Sequence, residues 1–497
     1  MSEPAAIVLL RFSGEIGTKA KPTRQRFERQ LLRNVADALE SEGIPARVHR
    51  SRNRVFVETG HPAAAALLAR VFGVQSLSVA HVRPAEKLIE VVETGAALFR
   101  DAVAGRRFAV RARRVGDRSR IALDAREVER ALGTALRPGA AAVDLDSPDV
   151  VVRVELHEGQ AYFCPQTLRG PGGLPLGVEG RAVSLVSGGF DSAVAAWQLL
   201  RRGVQLDYAF CNLGGRTHRL GALRVVKVLA DRWSYGGRPQ LHAIDFEGVA
   251  SEIRARTRPR YWQVILKRQM LRAGEAVAAA RGADALVTGE SVGQVSSQTL
   301  PNLSVISQAT QLPILRPLVG MNKDEIIRAA EEIGTAALSA VVDEYCAMVT
   351  SRPATVSRLA ALLVEEAKLD PSHLERAVAG REVLDLRALD AEAQGIAELE
   401  TDEVAADAVV IDLRSKAAYA AWHWPGALRL DLDRALAACA SFARDRRYLI
   451  YCEFGLKSAH LAERMQRAGL DARHFRGALA GLVAHARARS VGAPELP

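Results

Sequence analysis

The run Ala182-Val183-Ser184-Leu185-Val186-Ser187-Gly188-Gly189-Phe190-Asp191-Ser192 decides how the middle of this chain folds. Its first five residues, mostly apolar, read as a short buried strand, and Ala193 to Leu200 behind the turn read as a helix. A strand, a Gly-rich turn and a helix start form an anion site, because turn amides and the positive helix end point at one spot. Gly188 and Gly189 permit close backbone approach, and Ser187 and Ser192 add hydroxyl donors. A Walker loop would close with Gly-Lys and then Ser or Thr, which this stretch lacks.

Downstream, apolar strands alternate with helices: 206–210, the helix 218–232, 241–244, the helix 262–281 and 285–287. That alternation predicts a doubly wound parallel sheet, whose ligands bind beyond the carboxyl ends of the strands. Thr288-Gly289-Glu290 also follows a strand end and is expected to share a crevice with Gly188. Lys323, at an expected helix start after Arg316-Pro317-Leu318, is a further candidate for balancing phosphate charge.

Upstream, Arg169-Gly170-Pro171-Gly172-Gly173-Leu174-Pro175 reads as a linker. Before it lie a strand at 6–12, a basic amphipathic helix at 24–42, strands at 48 and 55–57, and a helix at 63–72. A helix at 86–104 then leads to the alternating strand Phe108–Arg114, with Phe108, Val110 and Ala112 inward. Arg106, Arg107, Arg111, Arg113, Arg114, Arg118 and Arg120 crowd this strand. They suit either a solvated edge that resists pairing or a sugar–phosphate backbone. A helix at 124–136 and a strand at 150–156 follow.

The chain has 497 residues, enough for several cores, with 48% hydrophobic and 25% charged residues and a net charge of +10. Residues 1–182 hold 28 Lys+Arg against 21 Asp+Glu, so most of the surplus sits in the front third, where a polyanion would dock. No segment has the apolar length of a membrane span, and Met1–Leu10 lacks a basic leader, so a cytoplasmic location is expected. Five scattered cysteines without a Cys-x-x-Cys pair argue against a zinc site or a disulfide scaffold. Near the C-terminus, Val409–Arg414, His423–Ala427 and Tyr448–Cys452 look like strand ends feeding loops. Cys452-Glu453-Phe454-Gly455-Leu456-Lys457-Ser458 opens a helix, a setting that lowers a thiol pKa.

Ser-Gly-Gly-x-Asp-Ser resembles the PP-loop of ATP pyrophosphatases, which split ATP between the α and β phosphates. The Arg-bearing strand with its flanking helices and the Val143-Asp144-Leu145-x-x-Pro148-Asp149 turn resembles a THUMP domain, and the Cys452 stretch resembles a rhodanese loop. With Asn212–Gly215, Ile265–Arg268, Thr288–Gln298 and Glu344-Tyr345-Cys346 in the same order, the chain resembles the tRNA 4-thiouridine synthases, a family of tRNA sulfurtransferases. The resemblance implies a multidomain α+β and α/β chain: a ferredoxin-like domain at 1–60, THUMP at 61–168, a linker at 169–177, a PP-loop domain at 178–395 and a rhodanese domain at 402–497.

It also implies a site. Ser187, Gly188, Gly189 and Ser192 would hold pyrophosphate, and Leu185, Val186, Lys267, Gly289 and Gln298 would line ATP. Asp191 would place the metal or the nucleotide, with Mg²⁺ as counter-ion and tRNA as substrate. Cys452 would carry a persulfide loaded by a cysteine desulfurase. Cys346 would then form a disulfide with Cys452, which an external reductant opens. A sulfur-carrier protein of thiazole synthesis and a homodimer are further implied partners, and a thiazole-directed sulfur carrier is the alternative reading. Cys164, Cys211 and Cys439 are expected to be structural. An amide-forming PP-loop ligase would need an ammonia source, which nothing here resembles, and an inactive RNA-binding scaffold would not keep the intact loop.

Overall fold

The computed structural model describes residues 7–51, 54–340, 342, 352–389, 398–453 and 455–489. They fall into two compact units, one built on the chain up to Gly180 with 200–205 and 232–237, the other on the remainder.

The first unit is organised on one eight-stranded sheet. Its strands are β1 (Ile7–Phe12), β2 (Arg47–Ser51), β3 (Arg54–Glu58), β4 (Val74–Pro84), β5 (Arg107–Arg114), β6 (Ala142–Val143), β7 (Val150–His157) and β8 (Gln160–Arg169), in spatial order β2-β3-β1-β4-β8-β7-β5-β6. Alternation along β1 sends Val8 and Leu10 into one core and Leu9 into another, against Phe56 and Tyr162. The first core is closed by the helix Lys21–Ser41 through Phe27, Leu31 and Val35.

Residues 64–77, assigned from sequence to the second domain, pack here through Ala64, Leu67, Leu68, Val74 and Leu77. The helix expected at 63–72 spans Ala64–Leu68. Leu174, in the expected linker, is also buried in this core. The THUMP-like half packs the helices Leu88–Val103 and Ala125–Leu136 on β5, β7 and β8, with Phe108, Val110 and Ala112 inward as their alternation requires.

Strand β8, which the sequence reading passed over, makes the halves one sheet by pairing with both β4 and β7. Beneath it Glu155 is buried between Arg11 (2.7 Å) and Arg54 (2.8 Å), which compensate a charge that would otherwise be costly to desolvate.

The second unit holds two sheets. The larger is made of β9 (Arg181–Leu185), β10 (Gln205–Asn212), β11 (Gln240–Asp245), β12 (Ala285–Val287), β13 (Ile314–Leu315) and β14 (Glu382–Asp385), ordered β13-β12-β9-β10-β11-β14. The pairs β12/β13, β12/β9 and β10/β11 are parallel, as expected of a doubly wound sheet. The edge strand β14 runs antiparallel to β11; its sequence, Glu-Val-Leu-Asp, is too short and too exposed to signal a strand.

The smaller sheet contains β15 (Glu400–Thr401), β16 (Val409–Asp412), β17 (Leu428–Arg429), β18 (Arg447–Tyr451) and β19 (Asp471–Phe475), ordered β15-β19-β18-β16-β17 with every pair parallel. Among the described residues no helix is long and apolar enough to cross a membrane.

Candidate active site

Strand β9 delivers the chain to Ser187, and the helix Phe190–Arg201 leaves from the other side of the turn. Between them the turn is folded on its own hydroxyls. The Ser187 amide donates to Ser192 Oγ (3.3 Å), the Gly189 amide donates to Ser187 Oγ (3.3 Å), and Ser192 Oγ donates to the Gly189 carbonyl (3.3 Å). These bonds are at the long end of the usual range, so a phosphate oxygen can displace them at small loss. Asp191 points to two donors: Lys323 Nζ reaches Oδ1 at 2.9 Å and Gln294 Nε2 reaches Oδ2 at 2.9 Å.

The loop after β12 crosses the start of this helix at very short range. A Cβ on Gly289 would stand 2.6 Å from the Asp191 carbonyl carbon and 2.7 Å from the Ser192 amide nitrogen, so only glycine fits. The next residue, Glu290, is buried and ties two cations to the site. Lys267 Nζ donates to it at 3.0 Å and Arg316 Nε at 2.7 Å. Burial alone would raise the Glu290 pKa, but the two cations outweigh it and hold the carboxyl below its ordinary value.

Gln298 ends the same loop, with its Oε1 buried and lacking a hydrogen-bond partner among the described residues. Its backbone carbonyl accepts from the Gly293 amide (2.9 Å), one residue before the Gln294 that reaches Asp191, and an orphaned acceptor on that loop suits the N–H edge of a nucleotide base. Leu185 and Val186 bring the end of the central strand to the same place, with Val186 buried.

Beneath the turn lies His218, in the first turn of the helix Gly215–Trp233. Its Nε2 lies 3.2 Å from the Ser187 carbonyl oxygen. Burial drives its pKa down to about 4, so at neutral pH the ring is uncharged and Nε2–H is the donor. The same helix lies against the turn at Ala222, whose Cα is 3.0 Å from where a Cβ of Gly188 would be.

Of the residues expected from sequence, Gly289 and Lys323 lie against the Ser187–Ser192 turn, Lys267 reaches the Glu290 that follows Gly289, and Gln298 closes the same loop. Glu290 is expected in the crevice only as part of the Thr288–Glu290 segment, and Gln294, Arg316 and His218 carry no site reading from sequence. Arg316 directly follows β13, so the strand-end rule could have found it; His218 carried no signal beyond its place at a helix start.

The second site is the loop after β18. Cys452 is buried, and its Sγ receives the Ser458 amide at 3.4 Å and lies 3.4 Å from Ser458 Oγ. Ser458 Oγ in turn donates to the Gly455 carbonyl (3.1 Å), closing the loop as the helix Leu456–Arg467 begins. Burial pushes the thiols of Cys164, Cys211 and Cys439 upward, the behaviour of inert packing residues. Cys346 lies outside the described residues, as do most of its neighbours in sequence.

The arginine strand of the first unit is bound more tightly to its own acids than its sequence suggests. Arg107 pairs with Asp144 (3.2 Å) and Asp149 (3.0 Å), both from the Val143–Asp149 turn. Arg114 pairs with Asp124 (3.4 Å), Arg111 donates to the Leu145 carbonyl, and Arg106 donates to the Asp149 carbonyl (3.3 Å). The row remains largely at the surface, with Arg106, Arg107, Arg111 and Arg113 exposed.

Comparison with known proteins covers both units. The family described as Thiamine biosynthesis protein (ThiI) matches residues 177–370. A ThiI ferredoxin-like domain matches 7–78, a THUMP domain 87–164 and a rhodanese-like domain 395–485. A protein named tRNA sulfurtransferase from Pyrobaculum aerophilum is 39% identical over 476 residues, covering 95% of this chain and 96% of its own length. One of the same name from Marinobacter nauticus is 35% identical over 474 residues, covering 93% and 97%. A solved structure described as a 4-thiouridine synthetase–RNA complex with bound ATP superposes with a TM-score of 0.67 at 29% identity, covering 76% of this chain and 99% of that one. Four matched domains in order, and relatives aligned over nearly their full length, show that the chain belongs to the tRNA sulfurtransferase family.

Proposed function

We propose that the chain is an ATP-dependent tRNA sulfurtransferase that makes 4-thiouridine, at position 8 by the family resemblance. The observation that supports this most is one compact unit holding both an anion-binding turn with an orphaned Gln298 acceptor and a thiol at the base of a helix-opening loop.

A uridine C4 carbonyl oxygen is a poor leaving group. Its attack on the α-phosphorus of ATP forms a C4–O–AMP bond and releases pyrophosphate. Ser187, Gly188, Gly189 and Ser192 would receive the pyrophosphate oxygens, while Lys267, Arg316 and Lys323 spread the developing charge. Leu185, Val186, Gly289 and Gln298 would seat the nucleoside. Asp191 orients Lys323 and Gln294.

Among the described residues no three His, Cys, Asp or Glu side chains stand together as a metal cage, so Mg²⁺ would be held chiefly by the triphosphate, with Asp191 the carboxylate at hand. Bound there, it would neutralise phosphoryl charge.

The terminal sulfur of a Cys452 persulfide, loaded by a cysteine desulfurase, then attacks C4 and expels AMP. Cys346 thiolate attacks Cys452 Sγ, freeing the thiocarbonyl and leaving a Cys346–Cys452 disulfide. An external thiol reductant returns two electrons. The front unit, with Arg106, Arg107, Arg111, Arg113 and Arg114, would carry the tRNA. The same persulfide could serve a sulfur-carrier protein of thiazole synthesis, a reading favoured by the description of the matched family.

The test is 4-thiouridine in tRNA, read by its near-ultraviolet absorbance, in cells whose only copy is this chain. Thiouridine that persists with Asp191→Ala or with Cys452→Ser would overturn the mechanism.

A further inference from the structure

The carboxylate of Glu463, on the helix that follows the Cys452 loop, is spent on a different part of the unit. Its Oε1 accepts from the Arg216 amide (3.2 Å) and from Arg467 Nη2 (2.9 Å). Its Oε2 accepts from the Thr217 amide (3.1 Å) and from the Thr217 hydroxyl. Both amides belong to the first turn of the helix Gly215–Trp233, whose N–H groups have no partner within the helix.

Glu463 and Thr217 are both buried. The approach is close enough that a Cβ on Gly215 would lie 2.5 Å from Arg467 Nη2 and 2.7 Å from Glu463 Oε1. Arg216 adds an ion pair to Glu398.

The helix gripped this way serves both reactive loops. His218 and Ala222 support the Ser187–Gly188 turn, and Arg224 Nη1 lies 3.8 Å from where a Cβ of Gly455, in the cysteine loop, would be. Residue 224 is six positions beyond 218, about 9 Å along the axis.

Resting on the sulfurtransferase reading, we infer that Glu463 is a positioning residue: it seats the sulfur-carrying loop on the helix that backs the ATP loop, and delivery of sulfur to activated RNA depends on that seat. Holding donor and acceptor together replaces an encounter by an intramolecular step. Loading of Cys452 by a desulfurase is a separate reaction and does not use the contact.

The test uses the full chain as wild type, Glu463→Ala and Glu463→Gln, with three readouts. Persulfide on Cys452 after incubation with desulfurase and cysteine, read by mass spectrometry, should be equal in all three. Pyrophosphate release on tRNA should change less than about threefold. Single-turnover formation of 4-thiouridine from loaded protein should fall by roughly 10- to 100-fold in Glu463→Ala, and less in Glu463→Gln, which keeps one acceptor. Thr217→Val should add nothing to Glu463→Ala, because both remove one contact.

Hydrogen exchange reads the seat without activity: the Arg216 and Thr217 amides should exchange faster in Glu463→Ala. Unchanged exchange, unchanged or faster transfer, or a loss matched by equal loss of loading each overturns the inference. A wild-type protein that loads sulfur yet makes no thiouridine would instead overturn the proposed function.

Discussion

The turn Ser187–Ser192 and the loop Cys452–Ser458 both leave the carboxyl end of a parallel strand and open a helix, yet they hold different things. At the first, the amides rest on serine hydroxyls at 3.3 Å, a placeholder that an incoming phosphate can replace. At the second, the Ser458 amide rests on a sulfur that belongs to the chain. The ATP turn is braced from outside by Lys323, Gln294 and the Gly289 loop, whereas the bonds recorded at the cysteine sulfur come from Ser458 of the same loop. A site for an exchangeable anion needs its walls held by other elements. A site whose sulfur belongs to the chain holds it covalently, and outside contacts are left to place the loop as a whole.

The sharpest way to break this contrast is to disable each loop and follow the half-reactions. Asp191→Ala and Cys452→Ser should each lower thiouridine formation by at least about 1,000-fold, since the product needs both half-reactions. The halves should separate. Asp191→Ala should still accept persulfide on Cys452, seen by mass. Cys452→Ser should still release pyrophosphate from ATP in the presence of tRNA. If Asp191→Ala fails to load sulfur, the two loops are not independent sites.

A smaller effect is expected from Gly289→Ala, which tests whether the ATP turn depends on bracing from outside. The added methyl would press on Asp191 and Ser192 backbone atoms at 2.6 to 2.8 Å, so the helix start must shift. Overpacking of this kind costs about 1–3 kcal/mol. The displaced Asp191 should slow pyrophosphate release by about 100-fold, the usual result of a misplacement near 1 Å. Persulfide loading should be unaffected. Pyrophosphate release at the wild-type rate would show that the contact is incidental.

Much of this architecture was legible because single residue types carry it. Ser-Gly-Gly-x-Asp-Ser declares a strand, a turn and a helix by itself, and the Phe108–Arg114 alternation shows its inward side. What stayed hidden were relations between distant segments. β8 has ordinary strand composition, and nothing local says that it pairs with β4, about eighty residues earlier, to fuse two domains into one sheet. The pairing of Arg107 with Asp144 and Asp149 likewise depends on where a turn lands, so a count of arginines overstated the free positive charge. The grip of Glu290 on Lys267 and Arg316, and the place of His218 under the turn, are invisible for the same reason: each depends on which distant segments meet.

Glu290→Gln tests the cation bracket at intermediate scale. Lys267 and Arg316 are partly exposed, so losing their shared carboxylate should destabilise by about 2 kcal/mol, below the 3–5 kcal/mol of fully buried pairs. The KM for ATP should rise by about 10-fold as the two cations lose their fixed positions, a readout that lost stability alone would not produce. The folded pKa of Glu290 lies below its ordinary 4.5. Its contribution is therefore present above pH 4.5 and lost as pH falls through the folded value. An unchanged KM would remove Glu290 from the ATP site.

The smallest expected effect concerns two buried histidines, one under the ATP turn and one in the sheet that carries the cysteine loop. His218, under the ATP turn, and His474, on β19 of the cysteine-bearing sheet, are both held near pKa 4 by burial, as is His242. Unfolded, each returns to about 6.5, so between pH 6.5 and 4 the unfolded chain binds more protons and stability falls with pH. At pH 5 each histidine should cost about 2 kcal/mol relative to pH 7. Urea unfolding at pH 7 and pH 5 should show that difference shrinking by about this amount in both His218→Asn and His474→Asn. The two should part in function. A ring with a folded pKa of about 4 stays neutral at pH 5, so in the folded protein ATP binding should respond to His218 only as pH falls through about 4, and His218→Asn should lose that response. His474→Asn should keep it. If both variants abolish it, the acid response belongs to the unit as a whole, and the claim that each loop is organised by its own surroundings fails.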